Sequence, residues 1–286
     1  MIAFFGMGLL GSSFVRALRK RGEDVHVWNR SHEKAKALEE TGAKAFDDPS
    51  EAARGALRVH LTLSDDHAVD DVLEKAKEGL SPKTTLVDHS TTSPSGTAAR
   101  ARKWEERGIA FQHAPVFMGP KNALESTGIM LASGDLARFD ALAPHLEKMT
   151  GKLVYLGAQP ERAATMKLLG NLFLISMVGG LRDVLALAKA ESVPTDDVVS
   201  LFELFNPAAS IPARLKSMRR GNFSEASWEL SMARKDTRLM IEAAEHAGSP
   251  LAVIPTIANE MDRFIAQGHA KDDWTVIAKD VIERVR

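Results

Sequence analysis

The chain has 286 residues, enough to bury the core of one large domain or two moderate ones. Its 37 Lys plus Arg stand against 38 Asp plus Glu, so no bulk field points toward nucleic acid or a membrane surface. Zero cysteines exclude disulfides, thiolate metal sites and a cysteine nucleophile together.

The first half alternates β-type runs with amphipathic helical patterns. "MIAFF" is a buried strand from the outset, which leaves no space for a leader, and a cytoplasmic location is expected. Gly6 to Gly22 then reads as a turn and a helix with Phe14, Val15 and Leu18 on one face. "DVHVW" is the second strand, His32–Glu40 a helix, "AKAF" a short third strand, and Pro49 opens a small helix. "LRVHLTL", the helix "DDHAVDDVLEKA" and the strand "TTLVDHS" follow, and Ser93-Pro94 starts a helix toward Arg107. "IAFQHAP", "GIMLAS" and "KLVYL" read as further strands, with a helix near Asp135–Lys148. Strands alternating with helices predict an α/β, doubly wound, mainly parallel Rossmann sheet over residues 1–158.

The character changes after Gln159. Glu161–Ser192 carries helical periodicity throughout, and Thr195–Phe205, Ile211–Arg220, Glu229–Ala247 and Leu251–Gln267 are further helices. An all-helical domain over 159–286, joined by the long helix, is therefore expected. Within that helix Leu168–Leu181 is strongly apolar, but about fourteen residues fall short of the roughly 20 that a membrane span needs. A buried helix is the expectation, with Met166, Met177, Met232 and Met240 as core filler and no membrane contact.

Gly6, Gly8 and Gly11 form G-x-G-x-x-G between the first strand and the first helix, the context that gives the pattern meaning. Gly6 suits the tight turn, Gly8 a close approach by a pyrophosphate and Gly11 helix–strand packing, with Met7, Leu9 and Leu10 completing the loop. The helix N-terminus offers free N–H groups and a positive dipole end to phosphate. NAD binders usually place an acid at the end of the second strand, and this chain has Asn29, Arg30 and Ser31 instead. A guanidinium pairs with a 2′-phosphate that a carboxylate repels, so NADP(H) is expected in preference to NAD(H).

With five stretches in order, "GMGLLG", "DHSTTSP", "APVFMGP", "KLLGN" and "KDTRL", the chain resembles the β-hydroxyacid dehydrogenase family almost end to end. The resemblance implies that the loop after the fourth strand, with Leu63, Ser64 and His67 to Val69, covers the adenosine. It implies Thr91 beside the nicotinamide and Lys235 brought to the cofactor from the helical domain. It also implies Lys167 as general acid/base and Asn171 as the residue that orients substrate. The two lie four apart, on one helix face, where burial would lower the amine's pKa toward a working range. The activity implied is hydride transfer between a small hydroxy acid or alcohol and its aldehyde or ketone.

The family's substrate loop reads A-P-V-S-G-G, where this chain has Phe117 for the Ser, Met118 for a glycine, then Gly119, with Asn122 at another glycine position. Phe117, Met118 and Gly119 are candidate substrate contacts together with Thr91, Lys167 and Asn171, and a larger or less polar carbonyl compound is expected. Ahead of Lys167, "LGAQPERAATMK" keeps Gly157 from the family's G-x-G but opens the helix with Pro160 and Glu161.

His60, His67, His89 and His113 lack metal-ligand spacing, and ordinary hydrogen-bonded histidine is the reading for His89 and His113. Phe223, Trp228 and Trp274 suit either a cleft or helix packing. An imine reductase of the same fold is the rival enzyme, although such relatives place Asp or Tyr where Lys167 stands. A non-catalytic dinucleotide sensor or partner-binding protein is the rival of another class. The helical half is expected to build a homodimer or homotetramer.

Overall fold

The computed structural model describes residues 1–282. Strand β1 (Ile2–Phe5) is buried along its whole length, and β2 (Val25–Trp28), β3 (Lys44–Phe46), β4 (Arg58–Leu61), β5 (Thr85–Asp88) and β6 (Ala110–His113) join it in one parallel sheet. Their order is β3-β2-β1-β4-β5-β6. The switch between β1 and β4 opens the crevice where open α/β sheets bind ligands.

Helices α1 (Leu9–Lys20), α2 (His32–Lys36), α3 (Pro49–Ala53), α4 (Asp66–Ala76) and α5 (Pro94–Glu106) connect these strands. Their starts follow capping chemistry. Asp48 accepts from the Ser50 N–H ahead of Pro49, Asp65 from Ala68, and Ser93 from Gly96 ahead of Pro94. Helix α1 buries Phe14, Val15 and Leu18 against β1 and β2 in one core layer. Leu61, Val69, Leu73, Leu86 and Trp104 fill the layer on the other face.

A second sheet of three strands follows, which the sequence reading had merged with the first. It consists of β7 (Val116–Phe117), β8 (Ile129–Ala132) and β9 (Lys152–Tyr155), with β7 antiparallel to β8 and β8 parallel to β9. Helices α6 (Pro120–Glu125) and α7 (Leu136–Leu146) flank β8 in sequence, and a lone His113–Ser133 bridge joins the two sheets.

Helix α8 runs unbroken from Arg162 to Ala190, and the two compact units, Met1–Leu172 and the remainder from Phe173, divide inside it. The helical unit adds α9 (Thr195–Leu204), α10 (Ile211–Arg220), α11 (Leu230–His246) and α12 (Ile254–Phe264). Its small core holds Phe223, Leu230, Ala233, Met261, Phe264 and Val276, with Trp274 packed against it. Phe223 is thus core, and Trp228, itself exposed, lies 5.5 Å from the Trp274 ring.

Asp183 explains why α12 starts later than periodicity suggests. Its buried carboxylate on α8 accepts N–H bonds from Ala252, Val253 and Ile254 at 2.8, 2.7 and 3.0 Å. These are the orphan amides at the head of α12, where Pro255 fixes the first turn. Burial would raise this carboxyl's pKa, but the three amides and Arg182 outweigh it and hold it at about 2.

The expectation that α8 is buried is corrected. By length and composition α8 could cross a membrane, with a mean hydropathy of 1.5 over its most apolar window, and only 11% of that window is buried within the chain. Leu168, Leu172, Phe173, Ile175 and Val178 are exposed, because a helix this long presents more apolar surface than one chain covers. Met166, Met177 and Met232 are exposed as well and do not serve as core filler.

Candidate active site

The glycine loop is shaped by contacts that only hydrogen fits. A Cβ on Gly6 (φ +95°) would lie 2.2 Å from the Thr62 carbonyl oxygen. One on Gly11 would lie 1.9 Å from the Gly6 oxygen and 2.4 Å from Thr62 Oγ1. Gly8, by contrast, faces open space, with nothing within 4 Å of an added Cβ. It is also the N-cap of α1 and carries no side chain that could satisfy the first N–H groups of that helix. Rigid glycines below, an open glycine above and uncapped amides at a helix start constitute an anion cradle.

This cradle lines a cavity of about 270 Å³ with Thr62, Leu63, Ser64, His89, Ser90 and Thr91. The structure thus brings Gly8, Leu9, Leu10 and Gly11 together with Leu63, Ser64 and Thr91, while Gly6 and Met7 lie buried beneath. Hydrogen bonds tie the pieces. Thr62 Oγ1 donates to the Gly6 carbonyl at 2.8 Å, and the Leu63 N–H donates to Ser90 Oγ at 2.8 Å. Thr62 and Ser90 were not singled out from sequence, since lone hydroxyl residues at strand ends carry no pattern.

Asn29 has a structural task. Its Oδ1 accepts the Met7 N–H at 2.8 Å and its Nδ2 donates to the Ser31 carbonyl at 3.0 Å, so it links the end of β2 to the glycine loop. Arg30 and Ser31 are exposed there, and among the described residues Arg30 forms no ion pair. His67 is exposed on the first turn of α4. Val69 requires correction as a cofactor contact: it is fully buried in the core beneath β4, because α4 turns its 69, 72, 73 and 76 positions inward.

The Thr91 loop is clamped from below. Asp88 Oδ1 accepts the Ser90 N–H at 2.9 Å, and Asp66 Oδ2 accepts the Ser93 N–H at 2.8 Å. Arg100, whose side chain has no exposed surface, donates to Asp66 Oδ1 at 3.0 Å and Asp70 Oδ1 at 2.8 Å. A charged residue between Thr97, Ala101 and Trp104 on the inward face of α5 was the available signal for this clamp.

His60 and His89 form a buried hydrogen-bonded chain. His89 Nδ1–H donates to the Ala114 carbonyl at 2.7 Å, which leaves its Nε2 to accept from His60 Nδ1–H at 2.9 Å. Burial, only partly offset by the Ala114 bond, lowers the His89 pKa to about 4, and burial with His89 alongside drives His60 well below its ordinary value. His113 Nδ1 lies 3.5 Å from Asp88 Oδ2 in the same buried layer. Among the described residues no three His, Asp or Glu side chains group as metal ligands do.

The second cluster lies where α8 begins. The Lys167 ammonium sits 4.4 Å from the centre of the Phe117 ring. Half-burial lowers its pKa from the ordinary lysine value, and no carboxylate pairs with it among the described residues. Phe117 rests on Gly170, where an added Cβ would be 2.3 Å from its Cζ. Asn171, one turn beyond Lys167, is half-buried. Met118 packs on Gly128, and the Gly119 N–H donates to Asn122 Oδ1 at 3.0 Å. Lys235 belongs to the helical unit, exposed on α11, its Nζ 2.7 Å from the carboxylate of adjacent Asp236.

A parallel Rossmann sheet with a glycine cradle at its switch point, followed by a helical region, defines a dinucleotide-binding fold, and relatives that share it along this chain are oxidoreductases. Residues 1–157 match the family described as the NAD binding domain of 6-phosphogluconate dehydrogenase, and the chain belongs to that family. Residues 160–283 match a second family, the C-terminal domain of NADPH-dependent reductive aminase-like proteins. Glyoxylate/succinic semialdehyde reductase 2 of Arabidopsis thaliana is 29% identical over 285 residues, covering 96% of this chain and 78% of its own length. The imine reductase of Streptomyces aurantiacus superposes with a TM-score of 0.90 at 26% identity, covering 99% of both chains. The Myxococcus stipitatus imine reductase in complex with NADP+ gives 0.92 at 18% identity over 98% of this chain and 99% of its own. Its likeness is one of fold. The resemblance to the β-hydroxyacid dehydrogenase family read from the sequence motifs holds.

Proposed function

We propose that the protein is an NADP(H)-dependent oxidoreductase that interconverts the alcohol and carbonyl forms of a small molecule, with Lys167 as general acid/base. The observation that carries this reading is Lys167 itself: an amine half-buried, without a carboxylate partner among the described residues, its pKa lowered by burial, one helical turn from an amide. A paired surface lysine would have neither property.

The residues present fit a dinucleotide. Gly8 leaves the backbone open, the first amides of α1 are uncapped, and the cavity walls carry Leu63, Ser64 and Thr91. The bound nicotinamide supplies or accepts the hydride. Arg30 would face a 2′-phosphate and Ser31 would add a hydroxyl. In reduction Lys167 Nζ gives its proton to the oxygen that develops negative charge, and in oxidation it takes the hydroxyl proton. Asn171 holds the same oxygen by its amide, and Thr91 borders the reacting face.

An imine as the group reduced is the second reading, favoured by the reductive aminase-like match of residues 160–283. A panel of carbonyl compounds, hydroxy acids and imines, assayed with both nicotinamide cofactors, tests these readings. NADPH binding with no turnover across the panel would return the protein to the sensor class.

We further propose that a second copy covers the exposed side of α8. Between Lys167 and Arg182 the apolar stretch is shorter than a bilayer, and α8 and α9 leave an apolar groove of about 430 Å³ lined by Leu181, Val184, Val198 and Phe202.

A further inference from the structure

The surroundings of Lys167 within its own unit restrict what a substrate can carry next to its reacting carbon. Phe117 lies against the helix at Gly170 with its ring face toward the ammonium, so that side of the site is aromatic. The loop beyond it offers few donors. The Gly119 N–H is engaged by Asn122 Oδ1, Pro120 has no N–H, and Asn122 Nδ2 is turned to Thr127 Oγ1 at 3.0 Å. Met118 is packed on Gly128. The cation beside the Phe117 ring is Lys167, and the reaction itself occupies it.

A carboxylate flanking the reacting carbon would meet the negative face of a phenyl ring and would lose hydration without gaining donors. It would also compete with the reacting oxygen for the ammonium. An alkyl or aryl substituent meets none of these costs and gains contact with Phe117 and Met118.

We propose that this site selects uncharged carbonyl or imine compounds bearing an apolar substituent, and that Phe117 and Asn122 exclude α-carboxylated ones. The proposal rests on Lys167 as the proton donor. Phe117 blocks the space and Asn122 consumes the amide that would hold an anion.

Phenylacetone and phenylpyruvate differ in one methyl against one carboxylate and serve as the probe pair. Their affinities for the NADPH-loaded protein are measured by ligand-detected NMR, alongside turnover. Phenylacetone should bind at least about tenfold more tightly to the natural chain, the scale of one mismatched group in a pocket. Phe117→Ser combined with Asn122→Gly should close or invert that gap, chiefly by lowering KM for phenylpyruvate. Equal or tighter binding of phenylpyruvate by the natural chain overturns the proposal, as does binding of neither. Phenylacetone bound selectively, with neither it nor its imine reduced, supports the selectivity and removes Lys167 from its catalytic role.

Discussion

The Lys167 ammonium and the Phe117 ring face one another across 4.4 Å, the lysine on α8 and the phenylalanine on β7. Burial disfavours the charged amine and lowers its pKa, while the ring face offers the ammonium a cation–π contact. The amine is thereby held in place without the carboxylate that would tie up its proton.

Lys167→Ala should lower turnover by roughly 10²–10⁴-fold, the usual contribution of a positioned acid or base, with NADPH affinity retained. Because burial lowers the amine's pKa, alcohol oxidation should rise with pH and level off below the ordinary lysine value, whereas carbonyl reduction falls across the same range. Steady-state rates at several pH values, with cofactor titrations of the variant, check both. A loss of only a few-fold would assign proton transfer elsewhere.

Arg30 stands exposed at the end of β2 with no acidic partner among the described residues. NADPH should bind at least about tenfold more tightly than NADH, and Arg30→Ala should remove most of that gap, worth about 1.4 kcal/mol per tenfold. Fluorescence titration with each cofactor decides it, and equal affinities in the natural chain would reject the preference.

Gly8 and Gly11 separate binding from folding. Gly11→Ala places a methyl 1.9 Å from the Gly6 oxygen, so thermal stability and NADPH binding should fall together. Gly8→Ala meets no protein atom, so Tm should hold while NADPH binding weakens. A Gly8 variant that binds NADPH normally would show that the phosphates lie elsewhere.

Asp183 links α8 to the head of α12 through charge-assisted bonds. Its folded pKa of about 2 lies below the 3.8 of an unperturbed carboxyl, so its stabilisation is complete above about pH 4 and disappears as pH falls toward 2. Asp183→Ala should cost roughly 1–3 kcal/mol at neutral pH, since it leaves the three N–H groups at the head of α12 without their acceptor. Urea unfolding at pH 7 and near pH 3 measures this, and the variant should lose less than the natural chain between those values.

Much of the fold was legible because its signals are local. Gly6, Gly8 and Gly11 sit between a strand and a helix, Pro49 and Pro94 mark first turns, and the helical half follows its periodicity. What was not legible depends on contacts distant in sequence. The pairing of Val116 and Phe117 with Ile129 and Met130 makes a separate sheet that two residues cannot announce. Val69 follows the cradle loop in sequence, yet the phase of α4 turns it inward. Asn29 reads as a cofactor contact, but it braces Met7, a partner 22 residues away. The bond from Gly119 to Asn122 decides which amides the candidate site can offer, and it requires coordinates. The exposure of α8 could not be read from hydropathy, because an apolar helix gives the same signal whether its cover is its own chain or another molecule.

The bonds from Asp183 also tie two distant stretches of the helical unit together. They close loops of 69, 70 and 71 residues onto one carboxylate, so a protein ending ahead of Pro250 keeps that anion in an apolar setting with its three amides gone. Stepwise trimming from the C-terminus removes the core residues Val276, Phe264 and Met261 first, so soluble yield should fall before the latch itself is reached. Splicing of the helical half onto another Rossmann domain would have to carry both ends of this latch together.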